Sequence, residues 1–301
     1  MAALDAPSLV PGGARAWLLA ARPTTLTASL APVAVGTAVA AAEGEARAIP
    51  ALAALGAALL IQIGTNFAND AFDFEQGADT DERTGPLRTA QAGLLSPSAL
   101  RTAALAAFAA AALIGLYLVA CGGWPIAVIG LLGLLAGYAY TGGPLPLGYR
   151  GLGDPLVFFF FGVFAVWGTH RVQTLGPSDL ALVASVPIGL LATALIAVNN
   201  LRDIETDRSA NKRTLAVRLG PSGARRYYAL LLIGTYAALP GLWWLGPPAA
   251  GAWLPLLTAP LAWRLWRKVR VDEGAALNGA LAGTARLQLG FGALMAVGLV
   301  P

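Results

Sequence analysis

Residues 48–79 read AIPALAALGAALLIQIGTNFANDAFDFEQGAD, an uncharged run from Ala48 to Asn69 followed closely by Asp70, Asp73, Glu75 and Asp79. A helix that crosses a bilayer needs about 20 largely apolar residues, and 48–69 supplies them. Acids placed where such a run ends belong at a membrane surface. The pattern recurs: the uncharged run 180–201 leads into Asn199-Asn-Leu-Arg-Asp-Ile-Glu-Thr-Asp207 and on to Lys212 and Arg213. Residues 70–82 and 203–207 hold nine of the sixteen acidic residues, so negative charge is concentrated at two points of an apolar chain.

The remaining sequence extends that picture. Hydrophobic residues make up 57% and charged residues 12%, against roughly 25% charged for a soluble domain. Further uncharged runs cover 23–42, 102–149, 155–170, 227–263 and 274–285, the last extendable past Arg286 to Pro301. Run 102–149 breaks at Gly122-Gly-Trp-Pro125 and run 227–263 at Gly246-Pro-Pro248, so each holds two spans. The expectation is an all-α integral membrane protein, a bundle of about nine transmembrane helices. Residues 1–15 form a loose tail and 16–301 a single membrane domain. The 36 glycines suit close helix packing in a bilayer.

On a nine-span topology, 17 Lys and Arg residues fall on the side of the N-terminus and only Arg47 and Arg171 on the other. Positive loops stay cytoplasmic, which places the N-terminus and both acidic clusters in the cytoplasm and the chain in the cell membrane. The net charge of +4 follows from topology and gives no sign of nucleic-acid binding. No removable signal peptide is recognisable. One cysteine, Cys121 at a span end, and one histidine, His170, which reads as an interfacial residue at a helix end, leave no zinc cluster and no Ser/His/Asp triad.

Asp73 and Asp79 of the first cluster face Asp203 and Asp207 of the second in this reading. Asp203 and Asp207 are four apart and share a face if the helix continues; Asn69 and Asp70 lie one turn before Asp73. Carboxylates of this kind suit Mg2+, which keeps several waters and is completed by phosphate oxygens. The candidate counter-charges for a diphosphate are Lys212, Arg213, Arg202, Arg208, Arg83 and Arg88; Arg218, Arg225 and Arg226 read better as positive-inside loop charges. The loop 138–154, YAYTGGPLPLGYRGLGD, offers Tyr140, Tyr149, Arg150 and Asp154 to an aromatic acceptor, or is simply a turn between helices.

With these residues in view, the chain resembles the UbiA superfamily of intramembrane aromatic prenyltransferases, whose mark is two Asp-rich motifs at the cytoplasmic ends of spans two and six. ARPTTLTASLAPVAVGTA (21–38), NFANDAFDFEQGADTDERTGPLR (66–88), YTGGPLPLGYRGLGD (140–154) and NNLRDIETDRSANKRTLAVRLG (199–220) carry the resemblance. It is strongest to the menaquinone-pathway branch that prenylates 1,4-dihydroxy-2-naphthoate. The general motif puts its last Asp at position 77; here that position is Gly77 and the next acid is Asp79, as in the naphthoate branch.

The resemblance implies Mg2+-dependent transfer of a polyprenyl group from polyprenyl diphosphate to the naphthoate, with loss of CO2 and diphosphate, giving demethylmenaquinol. It implies metal ligation by Asn69, Asp73, Asp79, Asp203 and Asp207, of which Asp73, Asp203 and Asp207 are the catalytic group. Lys212, Arg213, Arg202 and Arg88 would hold diphosphate; Asn66, Tyr140, Tyr149 and Arg150 would meet the acceptor. Phe158 to Phe161 and Trp167 offer apolar lining for the tail. Two other readings remain open: the same chemistry on another acceptor such as 4-hydroxybenzoate, and a cation transporter with an acidic mouth. Transporters place ionisable groups in mid-span, and here only Arg286 lies there.

Overall fold

A computed structural model describes residues 10–78, 85–245 and 250–300. Among them all regular structure is helical, as a bilayer requires of a chain that must satisfy its backbone internally. The helices are α1 (Ala14–Ala21), α2 (Pro23–Ala42), α3 (Ala48–Glu75), α4 (Pro97–Gly122), α5 (Trp124–Ala139), α6 (Gly153–Phe158), α7 (Phe164–Thr174), α8 (Asp179–Arg202), α9 (Ile204–Ser209), α10 (Leu215–Ala237), α11 (Leu239–Leu245), α12 (Ala259–Val271) and α13 (Asn278–Leu299). A π-helical turn, Phe159–Val163, joins α6 to α7, and 3-10 segments cover Ala250–Thr258 and Gly274–Leu277.

Among the described residues, seven helical units are long and apolar enough to cross a membrane, with α6–α7 and α10–α11 each counting as one. At the positions of the other two expected spans stand α5, 16 residues long, and the 3-10 segment Ala250–Thr258 with α12. Neither is among those seven, so the expected count of nine is not reached among the described residues. The expected break at 122–125 is present: Gly123 takes φ 80° between α4 and α5. That at 246–248 lies outside the described residues. Residues 10–15, assigned to a loose tail from sequence, are already folded in part, with the Gly12 N–H donating to the Leu94 carbonyl at 2.9 Å.

Capping residues set helix starts. Ser96 Oγ accepts from the Ala99 N–H at 3.2 Å ahead of Pro97, and Ser178 Oγ accepts from the Ala181 N–H at 3.0 Å. α3 packs along α4, α2 against α13 and α7, and α8 against α10 and α13. Small residues permit this closeness: a Cβ on Gly162 would stand 2.5 Å from the Gly189 Cα. The acid-rich ends of α3 and α8 emerge at the same end of the bundle as the loop 140–152, and the negative end of each helix dipole there favours cations.

Candidate active site

α3 runs on through the first acidic cluster, so Asn66, Asn69 and Asp73 recur on its last turns and the helix stops only at Glu75. Gly77 then takes φ 69°, a left-handed conformation that favours glycine. An aspartate would be strained at this position. Asp73 is buried and fully engaged: Arg88 Nη2 donates to Oδ2 at 2.9 Å and the Tyr149 hydroxyl to Oδ1 at 2.9 Å. Asp70, one turn away, does something else. Its Oδ2 accepts from the Thr89 N–H at 3.0 Å and the Thr89 hydroxyl at 2.8 Å, and its Oδ1 from the Ala90 N–H at 3.3 Å. It anchors the segment carrying Arg88. Asn69 Oδ1 accepts from the Thr141 hydroxyl at 2.8 Å.

The second cluster bends where the sequence suggested a continuous helix. α8 ends at Arg202, Asp203 caps it at φ −96°, ψ 13°, and α9 begins at Ile204. The bond from the Asp207 N–H to the Asp203 carbonyl, 2.8 Å, keeps the two acids one turn apart. Arg202, 4% exposed, forks onto Asp203 at 2.8 and 2.6 Å and reaches Asn199 and Asn278 at 3.0 Å each. Its guanidinium therefore holds Asp203 in place. Lys212 Nζ lies 3.5 Å from Asp207 Oδ1 and 5.2 Å from the Tyr149 ring centre.

Asp207 is buried and its Oδ2 has no hydrogen-bond partner. Burial pushes its carboxyl up from 3.8 to about 6; Lys212 opposes this, while Asp203 and Asp73 add to it. Charge from both clusters thus converges on Asp207. Tyr140 reports the same convergence: burial raises its phenol first, then the negative charges of Asp154, Asp73 and Asp207. An orphaned buried carboxylate oxygen among like charges, with neutral amide oxygens nearby, is a donor set that fits Mg2+. Among the described residues no three Asp, Glu, His or Cys side chains are gathered tightly enough to form a cage; Asp79, like Arg83, lies outside them.

A cavity of about 750 Å3 opens beneath the acids. Asn69 and Asn199 are in its wall, each one helical turn before the motif aspartates Asp73 and Asp203. Tyr140, Asn66 and Phe160, Phe161 also line it. Asn66 is additionally tied to the fold, its Nδ2 donating to the Ala21 carbonyl and the Thr25 hydroxyl at 2.9 Å each. Phe158, Phe159 and Trp167 are absent from the wall. So are Tyr149, which turns to Asp73, and Arg150, which is exposed and whose carbonyl accepts from Arg218 at 2.6 Å. The Arg213 N–H donates to the Tyr149 carbonyl at 2.9 Å while the residue stays exposed; exposed Arg208 pairs with Glu205. His170, read from sequence as an interfacial residue at a helix end, is fully buried one turn before the end of α7, 2.6 Å from Glu43 Oε2, and can stay buried because that acid accepts from it. Arg22, Gln62 and Asn278 also line the cavity. Each stands alone in sequence, and only the fold brings them together.

The model of the UbiA prenyltransferase family matches residues 29–282. The chain belongs to that family. It is 40% identical to a 1,4-dihydroxy-2-naphthoate octaprenyltransferase of Escherichia coli over 82% of both chains. Against the enzyme of that name from Mycobacterium tuberculosis it is 41% identical, covering 86% of this chain and 87% of the relative. The Bacillus subtilis protein of that name is 33% identical over 98% of this chain and 95% of its own. The fold matches a UbiA homolog from Archaeoglobus fulgidus bound to DMAPP and Mg2+, with TM-score 0.67, 16% identity and coverage of 93% of this chain and 99% of that one. It is a multi-pass membrane protein of this family, with the long apolar helices that requires.

Proposed function

We propose that this protein transfers a polyprenyl group from polyprenyl diphosphate to 1,4-dihydroxy-2-naphthoate, releasing diphosphate and CO2 and forming demethylmenaquinol. One observation carries the reading: Asn69 and Asn199, each one turn from a motif aspartate, stand in the wall of a largely apolar cavity. A diphosphate at the acidic end would therefore extend its tail directly into that cavity. Relatives at 33–41% identity bear the naphthoate name, which favours this acceptor over 4-hydroxybenzoate. The active site faces the cytoplasm of the cell membrane, on the positive-inside argument.

Asn69, Asp73, Asp203 and Asp207, with Asp79 from the adjoining segment, would hold Mg2+, which when bound supplies positive charge to the diphosphate oxygens. Arg202 fixes Asp203, and Asp70 fixes the segment that brings Arg88 to Asp73. Lys212 and Arg88, within reach of motif carboxylates, would supply charge to the diphosphate, and Arg213 would add charge at the rim. These cations stabilise the leaving group, which departs with the C–O electron pair. The apolar walls around Phe160 and Phe161 keep water from the allylic cation. Tyr140, its phenol protonated, borders the acceptor. The ring carbon bearing the carboxylate forms the new C–C bond, and CO2 leaves its bonding pair to the ring, so no strong base is needed.

The deciding experiment is prenyl transfer by purified protein in detergent with the naphthoate, a polyprenyl diphosphate and Mg2+. EDTA and Asp73→Ala should each abolish demethylmenaquinol formation. Turnover of 4-hydroxybenzoate alone would move the acceptor; inertness toward every aromatic acceptor would end the transferase reading.

A further inference from the structure

The cavity has a measurable depth. Along α3 its wall runs Asn69, Asn66, Gln62, Ala58 and Ala54, one helical face over fifteen residues and roughly 22 Å at 1.5 Å per residue. An isoprene unit adds four carbon–carbon links, roughly 5 Å when extended with bonds of about 1.5 Å. The cavity thus takes about four units. Its volume of about 750 Å3 falls within the roughly 300–1,000 Å3 range of ordinary ligand pockets.

Two glycines in this wall differ from the packing glycines elsewhere. A Cβ built at Gly130 of α5 or at Gly115 of α4 meets nothing within 4 Å. At Gly137, two turns along α5 from Gly130, the same test strikes Thr65 Oγ1 at 2.5 Å, so that glycine serves helix contact. Gly137 opposite Thr65, and Gly133, on which a Cβ would lie 3.8 Å from Ile61 Cδ1, set the register of α5 against α3 and bring Gly130 level with Ala58. That level is eleven residues below Asn69, about 16 Å or three isoprene units. On α4, Gly115 follows Ile114, whose Cδ1 would lie 3.6 Å from a Cβ on Gly56; this is thirteen residues below Asn69, about 20 Å or four units.

We propose that Gly130 and Gly115 set how much of the prenyl tail the cavity admits, Gly130 at the end of the third unit and Gly115 at the end of the fourth. Units beyond the fourth or fifth lie outside the cavity, among the lipid chains. The assignment rests on the polyprenyl-transfer reading. It adds that selection among donors is made by the first few units, at backbone positions left without side chains.

The test is kcat/KM of the full chain for geranyl, farnesyl, geranylgeranyl and octaprenyl diphosphates with one acceptor in one detergent. Gly130→Leu should leave geranyl transfer within about twofold of wild type and lower geranylgeranyl and octaprenyl transfer at least tenfold. Gly115→Leu should spare farnesyl as well and lower the two longer donors. Gly130→Ala, which a single methyl makes safe for folding, should show the Gly130→Leu order at about threefold. A loss of equal factor for all four donors, or no loss with any variant, overturns the assignment while leaving the transferase intact. Wild type inert to every donor overturns the transferase reading, and the assignment with it.

Discussion

Asp207→Asn should make the ligand-free protein more stable while abolishing its chemistry. Asp207 is buried with Oδ2 unpartnered, and its carboxyl is pushed up from 3.8 to about 6, by burial first and then by Asp203 and Asp73 against the pull of Lys212. A raised folded-state value means the folded chain holds the proton more tightly than the unfolded chain. The stabilisation it gives is complete below about pH 4 and lost as pH rises through about 6. At pH 7 the ionised group then costs the fold about 3 kcal/mol. Asparagine keeps the shape without the charge, and Lys212 retains the Tyr149 ring. At roughly 2 °C per kcal/mol for a chain of this size, thermal unfolding in detergent and EDTA at pH 7 should show the variant melting roughly 6 °C above wild type. At pH 4 the two should converge. Mg2+ with a diphosphate should raise the melting temperature of wild type alone. A variant that melts below wild type at pH 7 in EDTA, or a gap unchanged at pH 4, would refute the argument.

Three further outcomes follow from the hydrogen bonds. Asp70→Asn turns a donor toward either the Thr89 or the Ala90 N–H group, which bond different oxygens, and should cost about 2–4 kcal/mol, read as a lowered melting temperature independent of Mg2+. Arg202→Met leaves Asp203 buried without its fork and should cost about 3–5 kcal/mol; Arg202→Lys should not restore activity in the transfer assay, because one ammonium cannot span Asp203, Asn199 and Asn278. Glu43→Gln should lower the melting temperature by weakening the contacts to His170 and Ser178, at about 1–3 kcal/mol, with kcat/KM within twofold of wild type.

The membrane class and both motifs were legible because they rest on local facts: uncharged runs of span length, and acids where the runs stop. The division of labour within a motif was not. Asp70 and Asp73 are three residues apart and look alike in sequence, yet one bonds the backbone at 89–90 and the other meets Arg88 and Tyr149, partners up to 76 residues away. Arg202 reads in sequence as a cation for diphosphate; its bond to Asn278, which lies on a distant helix, is not legible there. The burial of His170 was not legible because Glu43, its partner across 127 residues, shares no pattern with it. Spans of ordinary length were clear, whereas the uncharged run that reads as a span after 125 forms a helix of only 16 residues, α5.

Tyr149 belongs to both halves of the molecule at once. Its hydroxyl is held by Asp73 of the first half, while its ring lies under Lys212 and its carbonyl accepts from Arg213 of the second. An occupant that claimed Asp73 would release the phenol from its acceptor, and the ring beside Lys212 would lose its anchor. Occupancy of one motif would then alter the surroundings of the other, and any change of affinity that results must be reciprocal; Tyr149→Phe, which keeps the ring and removes the bond to Asp73, should lessen it.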